Sequence, residues 1–178
     1  MTDLIRRTVE DEALTAKVVT LDRPAARKFQ RSILGDVGTY FAETTERFRA
    51  AVATPVDLLI VSTHGAWSGA KVGFGRYSDD WVEIASLSGQ CSTLLIVACN
   101  QEPDRAAIWR DRFSASQVVL ATGEVPGQTS DREVGRVTRR PETWKDGHAV
   151  LEALLDTTRP APAMAGAGWY VYPGSGAV

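Results

Sequence analysis

Cysteine and histidine are both scarce: the 178 residues hold two of each. Neither occurs in a C-x-x-C or H-x-x-x-H pair, so no metal site is expected. If Ser92 to Ala98 is one extended strand, Cys91 and Cys99 stand roughly 26 Å apart at about 3.3 Å per residue, too far for a disulfide between them. Long apolar runs are missing as well. Val56 to Val61 and Leu94 to Ala98 are the longest, against the roughly 20 residues that span a bilayer, so no membrane partner is expected. An excess of positive charge is lacking too. With a net charge of -2 the molecule has no field to draw in a phosphate backbone, which argues against nucleic acid. Met1 to Glu12 mixes Arg6 and Arg7 with Asp3, Glu10, Asp11 and Glu12 and has no apolar stretch of the secretory kind, so a cytoplasmic location is the expectation. Gly73, Phe74 and Gly75 lack the preceding strand and following helix of a phosphate loop, leaving nucleotide binding unsupported.

What is present is the composition of a globular protein, 44% apolar and 24% charged. The length suits one domain over 1–178, with flexible ends at 1–15 and 173–178. Ala16 to Leu21 reads as a first strand, ended by Asp22, Arg23 and Pro24. From Asp36 to Val52 the positions Val37, Tyr40, Phe41, Thr44, Phe48 and Val52 recur at helical spacing and predict an amphipathic helix. Val56 to Ser62 and Cys91 to Ala98 are nearly continuous apolar runs, the pattern of strands buried on both faces of a parallel sheet. Gly65 to Gly75 reads as a surface loop and Asp79 to Leu87 as a short helix. Beyond these, Asp104 to Phe113 predicts a helix, Gln117 to Thr122 a strand, Gly123 to Pro141 a loop with a helix start near its end, Thr143 to Leu155 a helix and Gly168 to Tyr172 a last strand. Strands alternating with helices predict an α/β fold with a mostly parallel sheet.

Two of the buried runs end in reactive side chains, His64 after the first and Cys99 after the second. Ligands of open α/β sheets bind beyond the carboxyl ends of the strands, so both groups are expected at the functional edge. A thiolate attacks carbonyl carbon, and a nearby imidazole supplies acid and base catalysis. Gly65 lets the backbone approach a substrate closely, and its amide with that of Cys99 could hold an oxyanion. Either residue alone is ordinary: a cysteine at a strand end is commonly a small buried hydrophobe, and His-Gly is commonly a turn. His148 falls in a predicted helix and receives no role. Tryptophans 67, 81, 109, 144 and 169 read as core or groove walls.

VDLLIVSTHG (Val56 to Gly65) resembles the strand and His-Gly motif of the caspase-like cysteine peptidase superfamily, which includes caspases, metacaspases and CHAT-type proteins. STLLIVAC (Ser92 to Cys99) resembles its nucleophile strand, and QVVLATGEVPGQTSD (Gln117 to Asp131) is similar to its next strand and substrate loop. The resemblance implies a caspase-like three-layer sandwich and an endopeptidase that cleaves after a charged P1 residue through a thioester, without a cofactor. It implies His64 as acid and base, Cys99 as nucleophile, and the amides of Gly65 and Cys99 as the oxyanion site. Ser130, Asp131 and Arg132 are implied as substrate-binding residues. Asp131 would suit an Arg or Lys substrate, and Arg132 lies near the family arginine that receives Asp; QTSD tilts the expectation towards Arg or Lys. The competing expectation is that both are solvated loop charges. Activation by a partner protein or by proteolysis is a further implication. Arg132, Arg136, Arg139 and Arg140 could form a self-cleavage site, although a charge-rich loop is the simpler account.

The alternative is a catalytically inactive caspase-like protein-interaction module. Asn100, Gln101 and Glu102 follow the cysteine where the family commonly has a glycine, and Val97 stands where caspases and metacaspases carry a Gln or Asp that helps read P1. A third expectation is a nucleotide-binding domain of the flavodoxin type.

Overall fold

The computed structural model describes residues 14–20, 38–42, 44–73, 81–125, 134–155 and 167–173. Nine strands are found among them: β1 (Ala16–Thr20), β2 (Gly38–Phe41), β3 (Val56–Ser62), β4 (His64–Gly65), β5 (Lys71–Gly73), β6 (Trp81–Glu83), β7 (Cys91–Gln101), β8 (Gln117–Gly123) and β9 (Ala167–Tyr172). Six join one sheet in the order β2-β1-β3-β7-β8-β9. All its pairings are parallel except β8 with β9. The remaining three form a small antiparallel sheet, β4-β5-β6, within the crossover from β3 to β7.

The central strand runs are nearly continuously apolar because both faces of the large sheet are covered. Helices α1 (Thr45–Ala53) and α2 (Pro103–Phe113) bury Phe48, Val52, Ala106, Trp109 and Phe113 against Leu59, Val61, Leu94, Ile96, Val118 and Leu120. The opposite face, Leu58, Ile60, Leu95, Val97 and Val119, packs on Val134 and Val137 and on α3 (Gly147–Leu154) through Val150 and Leu154. The result is a mixed α/β fold with a mostly parallel central sheet flanked by helices, compatible with a three-layer sandwich. Each helix has a local reason to start where it does. The Thr44 hydroxyl accepts from the Arg47 amide at 3.2 Å, the Asp146 carboxylate accepts from the His148 and Ala149 amides, and Pro103 stands in the first turn of α2.

Several expectations need correction. The helix predicted from Asp36 to Val52 divides into β2 and α1, because Gly38 to Phe41 pairs in register with Lys17 to Thr20 of β1 and Thr44 caps a later start. Gly65 to Gly75 contains a paired hairpin, with His64 opposite Gly73 and Gly65 opposite Val72. Asp79 to Leu87 yields β6 and a 3-10 turn at Ile84–Ser86 instead of a helix. In Gly123 to Pro141, where a helix start is expected near the end of the loop, helix is found at residues 134–138, which bury Val134, Val137 and Thr138. Thr143 and Trp144 belong to a turn ahead of α3 rather than to the helix. At the N-terminal end Thr15, expected to be flexible, binds Asp57 through its amide at 2.8 Å and its hydroxyl at 3.1 Å. Residues 1–13 and 174–178, the rest of the expected flexible ends apart from Leu14 and Pro173, lie outside the described residues. No described helix is long and apolar enough to cross a membrane.

Candidate active site

β3 and β7 run side by side with Ser62 opposite Val97. His64 stands the same 35 positions before Cys99 as Ser62 does before Val97, so the register brings the two residues level at the carboxyl edge. The Thr63 amide still donates to the Val97 carbonyl at 3.1 Å, after which the chain turns into the small sheet. Gly65 then lies directly against β7: a β-carbon there would run into the carbonyl of Cys99. Only glycine permits this approach. The Cys99 thiol meets Val125, which packs on the cluster of Leu95 and Val97, so it lies on the α3 side of the sheet.

Cys99 is pushed out of the regular ladder by a bulge. Ile96 pairs with Leu120 and Gln101 with Thr122, so four residues of β7 face one of β8. Asn100 absorbs the turn with φ of 60°, a left-handed conformation that asparagine tolerates better than most side chains. Bulges of this kind re-aim side chains at sheet edges and active sites. The Cys99 thiol is half-buried and meets Val125, whose amide donates to Sγ at 3.4 Å and whose carbonyl stands 3.9 Å from it. Val125 is the last described residue before the segment holding Ser130, Asp131 and Arg132, which lie outside the described residues. His64 is exposed, and no side-chain bond to its imidazole is found among the described residues.

The hairpin that carries His64 is tied to the strand that carries Cys99. Asn100 Nδ2 donates to the Gly65 carbonyl at 3.3 Å, and Arg105 donates to the Ser68 carbonyl at 3.2 Å. Gln101 Nε2 lies 3.4 Å from the carbonyls of both Gly69 and Cys99, and its Oε1 accepts from Trp109 Nε1 at 2.9 Å. In the β4 to β5 ladder the Ala66 amide bonds the Lys71 carbonyl. Antiparallel pairs alternate between bonded and unbonded, so Gly65 turns its amide and carbonyl away from β5, towards β7.

From the sequence Asn100 and Gln101 were noted only as a departure from the family pattern, with no role in the site, and Val125 was not singled out. The one signal was polar residues interrupting an apolar strand run at 100 and 101. Of the tryptophans, Trp109 and Trp144 are core residues as expected, whereas Trp67 in the His64 hairpin is 91% exposed. Arg136, expected in a loop, is helical and donates to the Leu154 carbonyl at 3.0 Å; the amides of Arg139 and Arg140 bond the carbonyls of Arg136 and Val137. A protease would have to unravel that turn to cut there. Among the described residues no group of three or more His, Cys, Asp or Glu gathers to hold a metal ion. Comparison of the sequence with protein-family models and with curated proteins finds no match.

Proposed function

We propose that the protein is a caspase-like cysteine endopeptidase with Cys99 as nucleophile and His64 as general acid and base. The observation that carries this reading is the shared offset of the two residues across β3 and β7, with the backbone of Gly65 packed on the Cys99 carbonyl. The caspase-like fold belongs to the same proposal and is supported by the mostly parallel sheet with helices on both faces.

In the reaction, the Cys99 thiolate attacks the scissile carbonyl carbon, and the carbonyl oxygen takes the negative charge. The amides of Gly65 and Cys99 receive that oxyanion; the Gly65 amide, turned away from β5, faces the right side for it. His64 gives a proton to the leaving amine as the C–N bond breaks, leaving a thioester. Water then attacks the thioester, His64 takes its proton, and the acid product leaves with the thiolate restored. Asp131, with Ser130 and Arg132 beside it, would read a charged P1 residue, Arg or Lys in preference to Asp. Activation by a partner or by proteolysis remains part of this reading.

The second reading, an inactive interaction module, is favoured by Val97, whose side chain is buried in the α3-side core and so offers nothing to a P1 residue. Fluorogenic peptides with Arg, Lys or Asp at P1 separate the two. Turnover of the Arg and Lys peptides that disappears in Cys99→Ala supports the peptidase. Turnover that survives the substitution removes Cys99 as nucleophile, and no turnover by the wild type on any peptide favours the interaction module.

A further inference from the structure

We propose that Gln101 is a positioning residue that fixes the Cys99 bulge against the His64 hairpin, an inference that rests on the peptidase reading for its catalytic consequence but not for its structural one. Gln101 is fully buried, two residues beyond the thiol, at the far end of the bulge. A buried side-chain amide is costly unless its atoms are satisfied, and here each atom has a partner on a different element. The indole nitrogen of Trp109, on α2, can only donate. Its 2.9 Å bond therefore fixes which end of the Gln101 amide is oxygen and turns the NH2 group towards the sheet edge. That NH2 group then meets two carbonyls at 3.4 Å each, Cys99 on the bulge and Gly69 on the hairpin.

One side chain thus spans the two segments whose relative position decides whether an imidazole and a thiol can work together. The clamp is supported where the same surfaces touch elsewhere. Gly69 has φ of 65°, and a β-carbon on it would approach the Asn100 carbonyl oxygen to 2.5 Å. The Asn100 side chain reaches the Gly65 carbonyl. Hairpin and bulge are therefore fitted closely, and Gln101 is their buried tie. Because the clamp touches no substrate, it acts on the geometry of the reacting groups, where misplacement of about 1 Å costs on the order of a hundredfold in rate.

The test uses the full chain and three variants. Gln101→Met keeps the volume and removes every polar atom. Gln101→Glu keeps the acceptor for Trp109 and removes the donor. Trp109→Phe keeps an aromatic ring and removes the bond that orients the amide. For both Gln101 variants the expectation is a kcat lower by about ten- to a hundredfold with KM nearly unchanged, and for Trp109→Phe a smaller loss of the same kind. Amide hydrogen exchange provides a readout that needs no turnover. The amides of Ala66 and Gly69 should exchange about tenfold faster or more, while those of Val118 and Leu120 in the central sheet keep the wild-type rate. Wild-type kcat and wild-type exchange in the hairpin, for any Gln101 variant that folds, would overturn the proposal. So would exchange that rises equally at all four amides, which is the mark of a merely structural residue. Should neither Gln101 variant fold, Trp109→Phe decides between the same outcomes. Absence of Cys99-dependent turnover in the wild type defeats the peptidase reading alone, since the exchange measurement still judges the clamp.

Discussion

Burial pushes the Cys91 thiol up to about 12, with a bond to the Leu59 backbone offsetting part of the rise. The thiolate is the reactive form of cysteine, so this residue is inert at neutral pH and serves as core. Cys99 is half-buried, beside Val125. Iodoacetamide near pH 8 is expected to modify Cys99 in the folded protein and to spare Cys91, read by peptide mass spectrometry; comparable labelling of Cys91 would contradict the assignment. That His64 and Cys99 follow apolar strand runs was legible in the sequence, because runs of that kind need no tertiary information to recognise. Asn100 and Gln101 were not legible. A left-handed φ and a buried amide network depend on what packs above and beside them, here Gly65, Gly69 and Trp109.

Strands buried on both faces announced themselves, whereas elements built by pairing did not. Tyr40 and Phe41 fit a helical spacing, yet pairing with β1 decides their conformation. β4, β5 and β6 are two or three residues each, too short for a period to register. The bulge in β7 was invisible because it depends on the register with β8, and its energetics can be probed at Asn100. Both Asn100→Gly and Asn100→Ala lose the bond to the Gly65 carbonyl, so their difference isolates the backbone: the alanine variant should be less stable than the glycine variant by about 1 kcal/mol, the order of penalty for an ordinary side chain held in the left-handed region. Chemical denaturation of the two variants checks this, and equal stabilities would mean that the strand relaxes to another conformation.

At the other end of β3 a latch joins that strand to the residues before β1. Asp57 accepts from the Thr15 amide and hydroxyl and stands 3.4 Å from Lys145 Nζ. Burial works to raise the pKa of its carboxyl, but the Thr15 bonds and the Lys145 charge outweigh it and hold the pKa below the usual 3.8. A carboxylate with a depressed folded-state pKa stabilises the fold above its unfolded value, and the contribution fades as pH falls through the folded value. Asp57→Asn should therefore be less stable than wild type at neutral pH, and the gap should close as the pH is lowered through and below 3.8. A gap that stays constant down to that range would show that the charge is not what the latch uses.

For the molecule as a whole, the strand order turns back on itself between β1 and β3, the position at which open α/β sheets open a crevice beyond their carboxyl ends. His64 follows β3, one side of that position, and Cys99 lies on the neighbouring β7, so the proposed chemistry sits at the carboxyl edge of the sheet beside the switch point. The alternation of strand and helix patterns foretold the sheet class and little about the site, because a site is a property of a few residues brought together by register. The most direct measurement is mass spectrometry of the protein treated with a peptidyl acyloxymethyl ketone carrying Arg at P1. A single adduct on Cys99 is predicted, strongly diminished in His64→Ala while iodoacetamide still modifies the same thiol. An adduct on another residue, or one that forms as quickly without the imidazole, would contradict the pairing of His64 with Cys99.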